Sequence, residues 1–315
     1  MDLPQLDEKV LAVAGGPLPL CVACSGGSDS TALLHLLYGR KELRPRLAVL
    51  HYDHGLRPVA SEGDCAFVQE LSGQLGLPFF WERRMAAGSF GEDALRRDRM
   101  NFFRKIMAQL ASPYLLTAHQ KDDACETLLL RLGRGSGLEG LTAPRAVERF
   151  RDGTIRLRPL LHATKADLIR YLNVLKLPWR EDVSNWKPIY VRNRVRNELL
   201  PLWRAIEGRR DLGRSLARSR ELLQEDADAL AELANSLYRR SLNDDALLLP
   251  PSCTTPRALI RRLLHLFFLD RGHVLSKVQS EGILRRLGEK FQLAIGIRLI
   301  CRSDGAKLSI SATKT

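Results

Sequence analysis

The chain has 315 residues, of which 45% are hydrophobic, and it carries a net charge of +13. This length exceeds the size at which single cores stop growing, so we expect two or three domains, and the positive charge favours a polyanionic partner. Six scattered cysteines, mostly within apolar runs, argue against a disulfide framework. The sequence contains neither a signal peptide nor an apolar run long enough to cross a bilayer, so we expect a cytoplasmic protein.

Strands alternate with helices in the first part of the chain. The apolar run at residues 20 to 24 has the length of a buried strand, and the leucines that follow recur at helical spacing. Residues 46 to 57 are predicted to form a second strand that runs into a polar turn. Further predicted strands lie at residues 78 to 82 and 114 to 118, with helices at about 61 to 75 and 92 to 110. This alternation predicts an α/β fold with a doubly wound parallel sheet, whose functional crevice lies at the carboxyl ends of the strands.

A polar loop, SGGSDS, separates the first predicted strand from its helix. Glycines let the backbone approach a ligand, and unpaired N–H groups at a helix N-terminus favour phosphate. An ordinary P-loop has a lysine, but this loop carries Asp29 instead, and a carboxylate beside phosphate requires a hard cation such as Mg²⁺. The alternative is a serine-rich helix cap. The candidate nucleotide-binding residues of the loop are Ser25, Gly26, Gly27, Ser28, Asp29 and Ser30.

A second polar cluster, TAHQKDDACET, follows the predicted strand at residues 114 to 118. If a helix starts by His119, then His119, Asp123 and Glu126 lie at positions i, i+4 and i+7 on one face. Acids at this spacing destabilise a helix, a cost that a bound metal ion or ammonium group would relieve. The alternative is that Asp122 and Asp123 simply complement the helix dipole, which leaves His119 unexplained.

The remainder of the chain is predicted to be mostly helical and rich in arginine. Helices are expected at residues 165 to 175, 211 to 240, 256 to 271 and 276 to 287, and Asp304-Gly305 between alternating runs indicates a terminal β-hairpin. We therefore predict a catalytic domain at residues 1 to 205 and a smaller helical domain at residues 206 to 315 that ends in the hairpin.

Seven segments, taken in order, resemble a known family. SGGSDS resembles the PP-loop of the N-type ATP pyrophosphatases. Together with HYDHGLR, TAHQKDDACET, RLGRGSGLEGL, RPLL, EDVSN and RNRVRNELLP, it makes the chain closely resemble the bacterial tRNA(Ile)-lysidine synthetase family from about residue 20 to residue 201. Gln120, Ala124 and Met100 depart from residues common in that family, but every acid and the loop are present.

The resemblance implies a PP-loop ATP pyrophosphatase fold and a reaction in two steps. ATP adenylates the C2 carbonyl oxygen of the wobble cytidine of a tRNA(Ile) with a CAU anticodon, which releases pyrophosphate. Free L-lysine then attacks C2 through its ε-amine and expels AMP. The implied small molecules are ATP, Mg²⁺ and lysine, and the second domain is expected to bind tRNA. No membrane is involved, and a homodimer is one oligomeric state that the sequence leaves open.

The resemblance also suggests roles for individual residues. The expected catalytic residues are Asp29, Asp123, Glu126 and His119, with Asp29 and Asp123 as magnesium ligands. Asp123 and Glu126 would also receive the lysine ammonium, and His119 would orient ATP or an acid unless it is a purely structural histidine. Arg96 and Arg99 are expected to contact ATP. Arg192, Arg194 and Arg196 are expected to contact tRNA phosphate, with solvated surface arginines as the alternative in both cases.

Two other functions compete with this one. A PP-loop tRNA thiolase would place sulfur on a tRNA base and needs cysteines disposed to carry it, whereas Cys21 and Cys24 precede the loop and should point to opposite faces of a strand. A catalytically silent tRNA-binding protein would be expected to have lost the acids, and Asp29, Asp123 and Glu126 are all present.

Overall fold

The computed structural model describes residues 3–55, 58–84, 91–181, 191–208, 211–249, 255–295 and 299–312. The chain divides into an N-terminal unit, Met1–Glu221, and a C-terminal unit, Leu222–Thr315. The domain boundary near residue 205 stays a prediction. Most of the EDVSN motif and the last two residues of HYDHGLR lie outside the described residues. Among the described helices, none has the length and apolar character needed to cross a membrane.

The N-terminal unit contains the predicted parallel sheet. Its strands are β1 (Leu20–Ala23), β2 (Leu47–Asp53), β3 (Phe79–Arg83), β4 (Tyr114–Leu116), β5 (Val147–Arg149) and β6 (Ile155–Leu157). They lie in the order β3-β2-β1-β4-β6-β5, and every neighbouring pair is parallel except β5 and β6. The fold prediction is therefore confirmed. β5 and β6 were not predicted, because three residues are too few to establish a period.

Helices precede, connect and follow these strands. They are α1 (Glu8–Ala12), α2 (Ser28–Gly39), α3 (Pro58–Gln74), α4 (Glu92–Gln109), α5 (Lys121–Gly133), α6 (Leu138–Leu141), α7 (Lys165–Val174), α8 (Val191–Arg194) and α9 (Leu200–Glu207), with a 3₁₀ turn at Arg44–Arg46 and a π-helical turn at Val195–Leu199. The next helix, α10 (Leu212–Ser241), contains the boundary between the two units.

The strands of this sheet are buried because apolar clusters pack on both faces. Val22 of β1 belongs to the cluster that includes Leu33 of α2, whereas Cys21 belongs to the cluster formed with Phe102 of α4. Cys24 also lies in the first cluster, so Cys21 and Cys24 are on opposite sides of the sheet, as their spacing predicted. Strands covered on both faces read as nearly continuous apolar runs, which explains the sequence of β1.

The strand order reverses between β1 and β4. The chain adds β2 and β3 on one side of β1, and it adds β4 and β6 on the other side. Ligands of open α/β sheets bind outside the carboxyl ends of the strands at such a switch point. The SGGSDS loop follows β1 and the TAHQKDDACET segment follows β4, so the fold brings these two polar segments to this point.

The C-terminal unit combines helices with an antiparallel sheet. Its further elements are β7 (Leu242–Asn243), β8 (Ala246–Leu248), α11 (Arg257–Asp270), α12 (Lys277–Arg285), β9 (Lys290–Ala294), β10 (Leu299–Asp304) and β11 (Lys307–Ala312). The predicted hairpin is confirmed, since β10 pairs with β11 around Gly305, whose φ is +100°. Its sheet has five strands, in the order β7-β8-β11-β10-β9. Phe267 and Phe268 of α11 are fully buried in its core.

Candidate active site

The SGGSDS loop leaves the N-terminus of α2 free of side-chain caps. Gly27 is the N-cap residue, and no side chain accepts a hydrogen bond from the first turn. The hydroxyl of Ser30 instead donates to the Gly27 carbonyl at 3.0 Å and accepts from the Ser25 N–H at 3.1 Å. The alternative of a serine-rich helix cap is therefore wrong, and the first N–H groups of α2 can bind an anion.

Gly26 allows the loop to pack closely. Its φ of +87° is a conformation that other residues rarely adopt, and a Cβ there would lie 3.2 Å from Phe67 and 3.3 Å from Val68 of α3. The Gly26 carbonyl accepts a hydrogen bond from the backbone N–H of Arg180 at 2.9 Å, and the Arg180 guanidinium pairs with Asp64 of α3. These contacts hold the loop in place from two sides.

Lys165 supplies the lysine that the loop itself lacks. Its Nζ lies 2.9 Å from Asp29 Oδ1 and 2.7 Å from Ser28 Oγ, although it is 136 residues from Asp29 in the sequence. Lys165 opens α7, and its backbone N–H donates to Asp122 Oδ2 at 2.9 Å. Burial raises the pKa of Asp29, and the ammonium of Lys165 opposes that increase. Lys165 thus links the loop to the acids that follow β4.

The carboxylate helix begins two residues later than predicted. Gln120 is the N-cap of α5, and its side chain accepts from the Asp122 N–H, while Asp123 Oδ2 accepts from the Gln120 N–H at 3.1 Å. His119 therefore precedes the helix, and the predicted face with His119 at position i is wrong. The helix-dipole alternative accounts for Asp123 Oδ2, which accepts from the N-cap backbone. It does not account for Asp123 Oδ1, which pairs with Arg192.

The surroundings of His119 favour its neutral imidazole over the charged form. Its Nδ1 lies 3.1 Å from the hydroxyl of Thr117. Burial lowers its pKa well below the usual value, and the positive charges of Arg158 and Arg192 lower it further. A neutral histidine at the carboxyl end of β4 can accept or donate one hydrogen bond to a ligand. Its predicted role in orienting ATP or an acid stays a prediction.

Asp123 and Glu126 bind two of the three predicted tRNA-binding arginines. The guanidinium of Arg192 contacts Asp123 Oδ1 at 2.9 Å and Glu126 Oε2 at 2.8 Å. Arg196 donates to Glu126 at 2.5 and 3.0 Å and to Asp123 at 3.3 Å. The Glu126 side chain is only 1% exposed. Burial raises the pKa of Asp123, and the guanidinium of Arg192 is the main group opposing it.

Arg194 faces away from these acids. It forms an exposed ion pair with Glu198, four residues further along the chain. The segment is helical, so Arg192 and Arg196 share one face while Arg194 lies on another. The three arginines therefore form two groups. Arg194 can bind an external phosphate in place of Glu198. Arg192 and Arg196 instead bind the carboxylates of Asp123 and Glu126.

This division predicts different effects for single substitutions in the segment. We expect Arg194→Gln to leave the Tm unchanged, because exposed ion pairs contribute little to stability. If Arg194 contacts tRNA phosphate, the slope of log affinity against log salt should become flatter by roughly 0.7 to 0.9. tRNA binding measured over a salt series tests this, with Glu207→Gln on α9 as the control. An unchanged slope for Arg194→Gln would exclude the phosphate contact.

Arg96 and Arg99 lie in the first half of α4 and share one face of it. Neither forms a hydrogen bond or an ion pair within the part of the chain that the structure describes. Arg156 and Arg158, which were not among the predicted site residues, lie nearby: the charges of Arg96 and Arg99 act on Arg156, and the charge of Arg96 acts on Arg158. The only signal for Arg158 was its place in the RPLL motif, and Lys165 had none beyond its place at the start of the helix predicted at residues 165 to 175.

The carboxylates fit the predicted magnesium ion. Asp29 contributes to the raised pKa of Asp123, so the two acids are close enough to interact. Mg²⁺ at nucleotide sites is held by one or two carboxylates together with phosphate oxygens. Within the described ranges, no three His, Cys, Asp or Glu side chains are grouped to hold a metal ion without such a ligand. Asp29 and Asp123 therefore suit an ion that arrives with a nucleotide, for which Asp123 would have to exchange its contacts with Arg192 and Arg196.

Comparisons with known proteins agree on one family. Residues 7–203 match the model of a PP-loop domain. A tRNA(Ile)-lysidine synthase from Synechococcus is 38% identical over 80% of this chain and 77% of its own length. Those from Pseudomonas aeruginosa and Thermus thermophilus are 39% and 37% identical over 78% and 84% of this chain, which spans only 55% and 51% of their lengths.

A solved structure shares the fold at much lower identity. A U34-tRNA thiolase from Methanococcus maripaludis, solved with its [4Fe-4S] cluster, superposes with a TM-score of 0.55 at 14% identity, covering 69% of this chain and 77% of the thiolase. At this identity the likeness shows a common fold only.

Proposed function

Since the chain belongs to the tRNA(Ile)-lysidine synthase family of PP-loop proteins, we propose that it converts the wobble cytidine of a tRNA(Ile) with a CAU anticodon to lysidine, using ATP and L-lysine. One observation of the structure carries most weight. The loop after β1 and the acids after β4 meet at the switch point of the sheet, and Lys165 contacts both. Anion-binding and ammonium-binding groups thus adjoin each other, as a reaction between ATP, a base and an amine requires.

In the first proposed step, the C2 oxygen of cytidine attacks the α-phosphate of ATP and pyrophosphate leaves. The uncapped N–H groups of α2 and the ammonium of Lys165 bind phosphate oxygens. These contacts orient the triphosphate of ATP for in-line displacement. Mg²⁺ held by Asp29 and Asp123 would neutralise charge on the leaving pyrophosphate. Arg96 and Arg99 are retained as phosphate partners, and the Ser30 hydroxyl keeps the loop in shape.

In the second proposed step, the ε-amine of lysine attacks C2 and AMP leaves. The amine must be neutral to react, so a carboxylate has to bind the lysine ammonium and accept its proton. Asp123 and Glu126 are suited to this because burial raises the pKa of Asp123, which makes that carboxylate a better base. Arg192 and Arg196 occupy the same oxygens, so the ammonium has to take the place of at least one guanidinium.

The competing functions have less support. Among the described cysteines, Cys21, Cys24, Cys65, Cys125 and Cys301 are all buried, and burial raises the pKa of Cys21 to about 11, which disfavours a thiolate that could carry sulfur. A catalytically silent tRNA-binding protein has no need of the three carboxylates Asp29, Asp123 and Glu126, which pair with lysine and arginine at the switch point of the sheet. We retain the cytoplasm as the proposed location.

The proposal predicts which substrates the protein needs. Purified protein should form AMP and pyrophosphate from ATP only when tRNA(Ile) with a CAU anticodon and lysine are both present during multiple turnover. Chromatography of the nucleotides gives the answer, with arginine in place of lysine and tRNA(Met) in place of tRNA(Ile) as controls. Formation of ADP, or turnover that is independent of lysine, would contradict the proposal.

A further inference from the structure

Two buried arginines lie at the same edge of the sheet as the SGGSDS loop. Arg156 is part of β6 and Arg158 follows it directly, and these residues are 6% and 2% exposed. Because β6 is parallel to β4, its carboxyl end lies at the edge where the candidate site is formed. Arginine is seldom buried to this extent unless its charge is matched, so the partners of these side chains matter.

One carboxylate serves both of them. Glu148 Oε2 accepts from Arg158 at 2.8 Å and from Arg156 at 3.4 Å. Three further contacts involve no charged partner. Arg158 donates to the Arg145 carbonyl at 2.6 Å, Arg156 contacts the sulfur of Met100 at 3.1 Å, and the Arg156 guanidinium lies 4.9 Å from the centroid of the Phe150 ring. The Nε of Arg158 is buried without a hydrogen-bond partner among the described residues. Buried donors are nearly always satisfied, so this one indicates an incomplete network.

The helix α4 adds two more positive charges to this place. Arg96, Arg99 and Met100 lie at i, i+3 and i+4 on one face of the helix, and Met100 contacts Arg156. Arg96 and Arg99 have no ion pair among the described residues. Burial lowers the pKa of Arg156 to about 10, and the positive charges of Arg158, Arg96 and Arg99 contribute to this. Burial also lowers the pKa of Arg158, and the charge of Arg96 adds to that decrease.

Two buried guanidinium groups thus share one carboxylate, and the charges of two more arginines on α4 act on the same pair. We infer that Arg96, Arg99, Arg156 and Arg158 form a phosphate-binding site, whose ligand is a phosphate of ATP or of the RNA backbone. Planar guanidinium groups bind phosphate in a bidentate manner, and a phosphate would supply the negative charge that this cluster lacks. The inference rests on the proposed function for its ligands, but it adds Arg156 and Arg158 to the site.

Substitutions on α4 test the site without disturbing the core. Arg96→Gln/Arg99→Gln removes two charges that have no ion pair in the described part of the chain, so we expect an unchanged or higher Tm. Arg97→Gln, an exposed arginine between them, is the matched control. Binding of ATP and of an anticodon stem-loop RNA with a CAU anticodon should be measured separately for each protein. The double variant should bind one of the two at least roughly tenfold more weakly than the control.

Comparison of ATP binding with stem-loop RNA binding identifies which of the two supplies the phosphate. Weaker RNA binding with a salt slope flattened by roughly 0.7 or more per contact assigns an RNA phosphate, and weaker ATP binding assigns the nucleotide. Glu148→Gln removes the carboxylate that pairs with both buried arginines, so it should tighten binding of the same ligand. The inference is overturned if the double variant binds both ligands as the Arg97→Gln control does, or if Glu148→Gln leaves binding unchanged. Lysidine formation by the unaltered protein tests the proposed function separately.

Discussion

Asp29→Asn should abolish adenylation of tRNA while the protein remains folded. Asparagine has the same shape and can still accept a hydrogen bond from Lys165, which lies 2.9 Å from Asp29 Oδ1. It lacks the charge that a magnesium ion requires, and loss of one preorganised electrostatic contact in an active site typically slows a reaction by roughly 10² to 10³-fold. Because this residue affects both the metal and Lys165, we expect the upper end of that range or beyond.

The measurement is pyrophosphate release in the presence of tRNA, with and without lysine. Asp226→Asn, an exposed acid on α10, makes the same chemical change in the C-terminal unit and should retain the full rate. Circular dichroism and Tm establish that both variants fold. A rate for Asp29→Asn within a factor of about three of the control would show that the carboxylate of the loop has no part in the chemistry.

Glu126→Gln should separate the two steps of the reaction. Glu126 is almost fully buried, and its carboxylate balances the guanidinium groups of Arg192 and Arg196. Loss of the charge should reduce the free energy of unfolding by about 1 to 3 kcal/mol, because among the described residues the two half-buried guanidinium groups then keep only Asp123 as a carboxylate partner. The KM for lysine should rise by roughly 30-fold or more, while adenylation, which depends on Asp29 and Lys165, continues.

Rapid-quench measurement of adenylated tRNA and of lysine incorporation distinguishes these effects. Glu198→Gln is the matched control, because this acid pairs with Arg194 on the exposed side of the same segment. In Glu126→Gln the adenylated tRNA should accumulate when lysine is limiting. If adenylation and lysine incorporation fall by the same factor, Glu126 acts through the fold or through ATP binding, and the assignment of the lysine site fails.

Local sequence patterns were sufficient to predict the loop at the start of α2 and the polar segment after β4. A buried strand followed by SGGSDS predicted the loop at the start of α2, and alternation of strands with helices predicted that later polar segments would reach the same edge. Both features depend on residues close together in the chain, for which periodicity and turn chemistry are good guides. The terminal hairpin was predicted for the same reason, from Asp304-Gly305 between alternating runs.

Contacts between distant segments could not be predicted in this way. Nothing near Lys165 indicates that its ammonium would reach Asp29, because that contact depends on how α7 packs beside α2. The helical geometry that separates Arg194 from Arg192 and Arg196 was also missed, since the segment was considered only as a run of alternating basic residues. His119 was placed on α5 because the spacing fitted, but the capping interactions of Gln120 and Asp123 start the helix after it.

The central claim is that this chain attaches lysine to the wobble cytidine, and the modified nucleoside tests it most directly. tRNA(Ile) with a CAU anticodon should be incubated with the protein, ATP, Mg²⁺ and ¹⁵N-labelled lysine, then digested and analysed by mass spectrometry. We predict a cytidine derivative at the wobble position that contains the labelled lysine, and none without ATP. An unmodified cytidine, or one in which sulfur has replaced the C2 oxygen, would contradict the account.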